Sequence, residues 1–384
     1  MPFARCAVLI ATVAGMALSQ PAVGQPFDFS PCDAAVARAV EEKKCPGAVL
    51  LVGRGDQVLY LKAYANRAVE PTPVAMTTDT IFDLASLSKS IGCATSVLVL
   101  ADRGKIDLDA TVATYLPEFG NHGKETITVK DLLAHVGGLV PDNPMADYAG
   151  TPVESMAKVM AIDLKWPPRT HFAYTDVGFI VLGELVHRVS GKPLDQFAHD
   201  EVFEPLGMHD TTYNPPEAWR ERIAPTEKRN GRWIVGEVHD PRAYALGGVA
   251  GHAGLFSTAS DVSKWVRMLN AGGELDGKRI LSEAMVKRML KPVELPEGKG
   301  TRGLGVDMAS SYAGIRGTRF PSGSFGHTGW TGTSYWCDPV SKVYVILLTN
   351  RVHPDGTGDV QKLRREVNTL AAEAVLGPAP TTQK

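Results

Sequence analysis

The sequence predicts an α+β fold assembled from both ends of the chain, with a mainly helical stretch inserted between them. Three observations carry that prediction. Strand-like runs occur near the start, within residues 48–64, and again near the end, within 324–348. The long periodic segments between them carry apolar residues at helical spacing. The 384 residues are 44% hydrophobic and 21% charged, which is enough for a large core and roughly two domains' worth of structure. No internal repeat or low-complexity tract interrupts the pattern.

Taken in order, residues 33–44 read as a helix. After Pro46-Gly47, the apolar runs 48–52 and 57–64 flank Gly53-Arg54-Gly55-Asp56, the turn residues of a β-hairpin. An unusually apolar helix carries Ser86 and stops at Gly104, a suitable C′ residue. Residues 129–135 form a helix ending in Gly137-Gly138, and 177–189 another that stops at Gly191. A further helix runs from Leu194 towards Phe203. The stretch 214–254 is rich in Pro, Gly and charge and reads as long loops. Ser260-Asp261 is placed to cap a helix reaching Leu269, and 281–290 is helical. Strands at 324–330, 333–337 and 342–348, a closing helix at 360–375 and a polar tail from Pro378 complete the chain.

The first residues differ from the rest. Arg5 precedes an apolar run, 6–18, and small residues follow at Ala22 and Gly24, the layout of a cleaved secretory signal over 1–24. That run is short for a membrane span, so the mature chain is read as exported, periplasmic or secreted, without stable membrane insertion. A net charge of −2 gives no reason to expect nucleic acid or an anionic membrane as partner. Four cysteines remain after the signal: Cys32, Cys45, Cys93 and Cys337. A helix between Cys32 and Cys45 would hold them roughly 18 Å apart, whereas a disulfide needs Cα atoms within about 7 Å. That pair is excluded, and free thiols are the expectation.

Ser86-Leu87-Ser88-Lys89 places a serine and a lysine three residues apart at the head of the apolar helix. Residues i and i+3 share a helix face, so the amine lies within reach of the hydroxyl. A serine becomes a nucleophile when a neighbouring base takes its proton. Roughly one such match is expected by chance in a chain of this composition. A second, Ser155-Met156-Ala157-Lys158, lies in an ordinary amphipathic stretch and is read as that accident. There is no Gly-x-Ser-x-Gly elbow, no His-Glu-x-x-His and no phosphate or dinucleotide fingerprint around Gly356-Thr357-Gly358. No metal and no cofactor are expected.

Two further motifs follow in order: Tyr174-Thr175-Asp176 before a helix, and His327-Thr328-Gly329 on a strand near the end. The set resembles the serine β-lactamase and penicillin-binding protein superfamily. It is most similar to the branch holding class C β-lactamases, D-alanyl-D-alanine carboxypeptidases and β-lactamase-like esterases. His239-Asp240 and residues 246–258 resemble a subgroup tied to peptidoglycan turnover. The resemblance implies a β-lactamase/transpeptidase-like fold, an antiparallel sheet flanked by helices. It divides the chain into a sheet domain, 25–85 with 255–376, a mainly helical domain with long loops, 86–254, and a flexible tail, 377–384. It also implies that Ser86 is acylated and that Lys89 and Tyr174 move protons. His327, Thr328 and Gly329 would line the substrate strand, and the N–H groups of Ser86 and Trp330 would form an oxyanion hole.

The implied activity is hydrolysis of peptidoglycan-derived peptides or amides. A small-ester hydrolase, a β-lactamase and a penicillin-binding sensor acylated without turnover remain alternatives. The partner is a small-molecule or muropeptide substrate, and no oligomeric state follows. Two positions depart from the resemblance. Asp176 stands where an Asn would donate an amide N–H, and a carboxylate accepts only; its charge would also favour a protonated Lys89. Asp176 is equally placed to be the N-cap of the following helix. His327 stands for a Lys, which weakens fixed positive charge and adds the prospect of a pH response near neutrality. His135, His239 and His252 are read as structural or loop-shaping, and Arg351 as a surface residue.

Overall fold

The computed structural model describes residues 27–378. The signal expected at 1–24 and nearly all of the tail lie outside the described residues. Six strands form an antiparallel sheet. From edge to edge they are Phe325–Thr328, Ser334–Cys337, Val343–Thr349, Gly47–Arg54, Gln57–Ala68 and Val74–Ala75. Both ends of the chain therefore meet at the sheet centre, where Ala48 pairs with Thr349 and Arg54 with Val343.

The central strands are apolar on both faces because both faces are covered. Along Gly47–Arg54, Val49 and Leu51 enter one hydrophobic cluster, whereas Ala48, Leu50 and Val52 enter another. On Val343–Thr349 the same period of two sends Tyr344, Ile346 and Leu348 one way and Val343, Val345 and Leu347 the other. The smaller cluster is closed by helices Ser30–Glu41 and Gln361–Leu376, which pack on each other. The larger one takes in helices Thr95–Asp102, Asp176–Ser190 and Ala259–Asn270.

Local chemistry sets the element ends. The predicted cap at Ser260-Asp261 is displaced by two residues: Thr258 is extended and its Oγ1 accepts from Asp261 N at 3.2 Å. Asp176 is likewise not a cap. Thr175 takes that place and accepts from Gly178 N, leaving Asp176 as the first helical residue. Gly191 (φ 72°) ends that helix in the left-handed region that favours glycine. The stretch read as long loops contains a short helix, Pro241–Ala245, capped by Asp240. Cys32, Cys45, Cys93 and Cys337 are free and buried, in line with a helix separating the first two. Among the described residues no helix is long and apolar enough to cross a membrane.

Candidate active site

Ser86 sits in a tight turn between strand Phe82–Asp83 and the helical run behind it. The preceding Ala85 has φ 46°, a conformation that non-glycine residues rarely adopt. The turn is held from several sides. Asp83 accepts from Ala85 N at 2.8 Å with one carboxylate oxygen and from His239 N at 2.7 Å with the other. Thr331 Oγ1 donates to Asp83 O and Thr333 Oγ1 to Leu84 O, at 2.7 and 2.9 Å. Behind Ser86 the chain winds as a π-helix over Lys89–Ala94 before the α-helix Thr95–Asp102 begins. The single apolar helix expected from sequence is thus buried and ends where expected, at Gly104 (φ 68°), but its first turns are wider. Such π turns recur at functional sites.

Lys89 is fully buried and its ammonium is surrounded by two hydrogen-bond acceptors and a carboxylate. Nζ lies 3.1 Å from Ser86 Oγ, 3.1 Å from the His252 carbonyl and 2.6 Å from Asp176 Oδ1. Burial alone would disfavour the ammonium, but the Asp176 carboxylate, then Tyr174, more than reverse this and hold its pKa above the ordinary lysine value. Ser86 is only partly covered, so the hydroxyl faces the cavity while the amine stays out of water.

Tyr174-Thr175-Asp176 is propped by the loop after helix Val129–Leu133. Thr175 N donates to His135 Nδ1 at 3.1 Å, Thr175 Oγ1 to Val140 O at 2.6 Å and Asp176 N to Pro141 O at 2.8 Å. The His135 ring stacks on Tyr174 at 4.6 Å, and burial, then Arg302 and Lys89, keep that imidazole neutral. His135 is structural, as expected. Burial also raises the Tyr174 phenol above its ordinary value, with Lys89 pulling it back down and Asp176 pushing it further up.

The far wall is strand Phe325–Thr328 and the turn after it. His327 is buried, and its Nδ1–H donates to the Thr328 carbonyl at 2.9 Å. Burial, then Arg302 and Lys89, push its pKa well below the usual imidazole range. These influences favour the neutral ring and so oppose the pH response near neutrality expected of His327. Gly329 is required by close approach, since a Cβ there would collide with Thr333 Oγ1 and the Leu84 carbonyl. The buried Arg364 Nη2 donates to Gly329 O and Thr333 O, at 2.7 and 2.8 Å, and pins the turn from behind. The N–H groups of Ser86 and Trp330 have no acceptor among the described residues.

These groups line one cavity of about 720 Å³, which also receives Asp240, His252, Arg302, Tyr312 and Arg351. The eight residues singled out by sequence are split: Ser86, Tyr174, Asp176, His327, Thr328, Gly329 and Trp330 line it, and Lys89 lies beneath. Two readings need refining. Arg351 is partly exposed, as a surface residue would be, but it is engaged: Nε donates to Trp330 O at 2.8 Å, Nη1 donates to Gly358 O at 2.7 Å, and the guanidinium covers the Trp330 ring. His252 does more than shape a loop: its carbonyl receives Lys89, and its Nε2–H donates to Asp240 Oδ1 at 2.9 Å. Arg302 and Arg364 were missed, and no local pattern marks either. Asp240 was named only as part of His239-Asp240, without a role at the site; its place before Pro241 is an N-cap pattern.

Ligand atoms of Asp176, Asp240 and His252 come within 4.8 Å of one another. Of these three, Asp176 is paired with the Lys89 ammonium at 2.6 Å, and Asp240 accepts from His252 Nε2–H at 2.9 Å. Chemically, the arrangement offers a hydroxyl nucleophile, a buried cation beside it, a phenol able to exchange a proton and two free backbone donors for a developing oxyanion.

The sequence profile of the Beta-lactamase family matches residues 32–368. A putative D-alanyl-D-alanine carboxypeptidase of Escherichia coli (strain K12) is 32% identical over 347 residues, covering 80% of this chain and 79% of that one. An N-acetylmuramyl-L-alanine amidase of Bacillus subtilis (strain 168) is 30% identical over 343 residues, covering 80% and 78%. Among solved structures, EstCE1, a hydrolase with promiscuous acyltransferase activity, superposes with a TM-score of 0.73 at 22% identity, covering 89% of this chain and 98% of that one. That last likeness is one of fold.

Proposed function

The chain belongs to the beta-lactamase family, and from that premise we propose an exported serine hydrolase that works through an acyl-enzyme on peptidoglycan-derived peptides or amides. The D-Ala-D-Ala carboxypeptidase and muramoyl-peptide amidase types are its concrete forms. The observation that carries the proposal is Ser86 Oγ, open to the cavity and bonded to a buried Lys89 that is itself held by Asp176.

In the fraction of molecules that carry Tyr174 as a phenolate, Ser86 attacks the substrate carbonyl and its proton passes to the Tyr174 oxygen. Lys89, kept as an ammonium by Asp176, orients Ser86 and offsets the negative charge that develops on the hydroxyl and the phenol. The Ser86 and Trp330 N–H groups take the oxyanion, a contact strongest in the transition state. The leaving amine receives the proton from Tyr174, and the phenolate left behind then takes a proton from water, whose oxygen attacks the acyl carbon; that proton returns to Ser86 Oγ as the acyl group leaves. His327 and Thr328 guide the substrate along the strand edge.

The test is to give purified protein a muropeptide, a short-chain nitrophenyl ester and a chromogenic cephalosporin. Release of D-Ala or of a free stem peptide at rates well above the other two supports the proposal. A second reading, a small-ester hydrolase, is favoured by Asp176, which offers no N–H to a substrate amide carbonyl; turnover of the ester alone selects it. A lasting adduct at Ser86 with no product from any of the three selects a sensor. Amino-terminal sequencing of exported protein tests removal of residues 1–24.

A further inference from the structure

Arg302 is a buried guanidinium with donors left over. Its side chain is 1% exposed, and Nε and Nη2 meet no hydrogen-bond acceptor. The nearest carboxylate, Asp307, stands 3.6 Å from Nη1, and its Oδ1 already accepts from Met308 N at 2.8 Å and Ser310 N at 3.4 Å. What the guanidinium does face is aromatic: its central carbon lies 5.8 Å from the Tyr174 ring centroid and 5.9 Å from that of Phe172. Lys89 Nζ lies 4.9 Å from the same Tyr174 centroid. Tyr174 thus has two cations within reach of its ring.

We infer that Arg302 is a positioning residue for acyl transfer: its buried guanidinium, set against Tyr174 and hydrogen-bonded to no acid, stabilises the phenolate form through which Tyr174 accepts the Ser86 proton. The inference rests on the proposed role of Tyr174. A cation near an aromatic face is attracted to the neutral ring, and far more to the same ring once it carries a negative charge. The position matters here because the strand residue nearest the site is His327, whose ring lies 6.0 Å from Tyr174 and carries no charge. Arg302 supplies from the layer behind what that strand residue does not.

Every other group around Tyr174 has a different effect. His135, stacked on the ring, is neutral. Tyr312 has its ring centroid 5.4 Å away and brings no cation. Asp176 opposes a phenolate, and Lys89 favours one but is shared with Asp176 and Ser86. Asp307, beside Arg302, weakens its effect from a distance. The phenolate is therefore favoured by one cation engaged in an ion pair and by a second that has no hydrogen-bonded acid.

The experiment follows the rate at which a fluorophosphonate labels Ser86 as a function of pH, a readout independent of the natural substrate. In Arg302→Met the rising limb moves to higher pH and the rate at neutral pH falls by about tenfold or more. Arg302→Lys restores the limb towards its original position. Asp307→Asn, which keeps an acceptor for the two N–H groups but removes the charge, moves the limb to lower pH; this holds even where Arg302→Met does not fold. Equal loss at every pH in Arg302→Met, or an unmoved limb in Asp307→Asn, overturns the inference. Tyr174→Phe separates the two levels. If it labels like the wild type, the role of Tyr174 fails and the inference with it; if it loses the limb while the Arg302 and Asp307 variants keep theirs, only Arg302 is wrong.

Discussion

Lys89 Nζ lies 2.6 Å from Asp176 Oδ1 and 3.1 Å from Ser86 Oγ, so the ammonium is anchored to a carboxylate and shared with the hydroxyl it serves. With Tyr174 also held above its ordinary value, the resting site carries Lys89 protonated and Tyr174 as a phenol. Neither is a base in that form, so the reactive fraction grows as pH rises.

Asp176→Asn should therefore move the rising limb of kcat/KM to lower pH. Burial disfavours the Lys89 ammonium, and Asp176 is the largest influence opposing it; Asp176 also raises Tyr174. Removing the carboxylate lowers both. The new amide adds an N–H donor at the cavity wall, so acylation by penicillins should quicken as well. A pH–rate profile that stays in place, with penicillin acylation unchanged, would show that Asp176 tunes neither.

Ser86→Ala should lower turnover by at least about 10³-fold while leaving the thermal unfolding midpoint close to that of the wild type, because the side chain is partly exposed and its one bond is to Lys89. Intact-mass measurement after a fluorophosphonate should show one adduct on the wild type and none on the variant. Labelling of the variant at the same rate would move the nucleophile elsewhere.

Much of this was legible in the sequence because the three motifs carry their own local geometry. An i, i+3 pair faces one way, and a strand after glycine turns presents an edge. What escaped depends on distant segments meeting. Arg302 and Arg364 look like ordinary surface charges until packing buries them without a hydrogen-bonded acid. Asp240 and His252 approach each other only through the folded stretch 214–254. Thr175 and Asp176 are both good caps, and the backbone conformation at Thr175 decides between them. The neutrality of His327 follows from burial beside Arg302, which no local pattern reveals.

Thr333→Val should lower both stability and kcat. Thr333 Oγ1 ties the strand Ser334–Cys337 to the carbonyl of Leu84, two residues before the nucleophile, and Gly329 N–H donates to Thr333 O on the same turn. Valine keeps the shape but loses the hydroxyl. The loss of one buried hydrogen bond costs about 1–3 kcal/mol, which chemical denaturation would measure. Trp330 N–H is carried by this turn, so kcat should fall more than KM rises. A fall confined to stability would mean that the tie holds the fold but not the oxyanion donors.

Stability itself should decline above about pH 9, and this bounds the range in which any rate profile can be read. The thiols of Cys32 and Cys45 are pushed up to about 12, chiefly by burial, from an ordinary 9.0. For an acid whose folded pKa is raised, the folded state holds more protons than the unfolded state between the two values, so unfolding becomes easier as pH rises through that window. One pH unit into it, each thiol costs about 1.4 kcal/mol. Tyr344, also raised to about 12 by burial, adds to the slope from pH 10 upward. Lys89 acts in the same direction: its raised value means that the stability from its ion pair is present below about pH 10.5 and fades above. Thermal melts should thus fall steeply between pH 9 and 11. Cys45→Ala should flatten that slope while costing stability at neutral pH, because the thiol is buried within the smaller core. A slope identical to the wild type would place the alkaline weakness elsewhere.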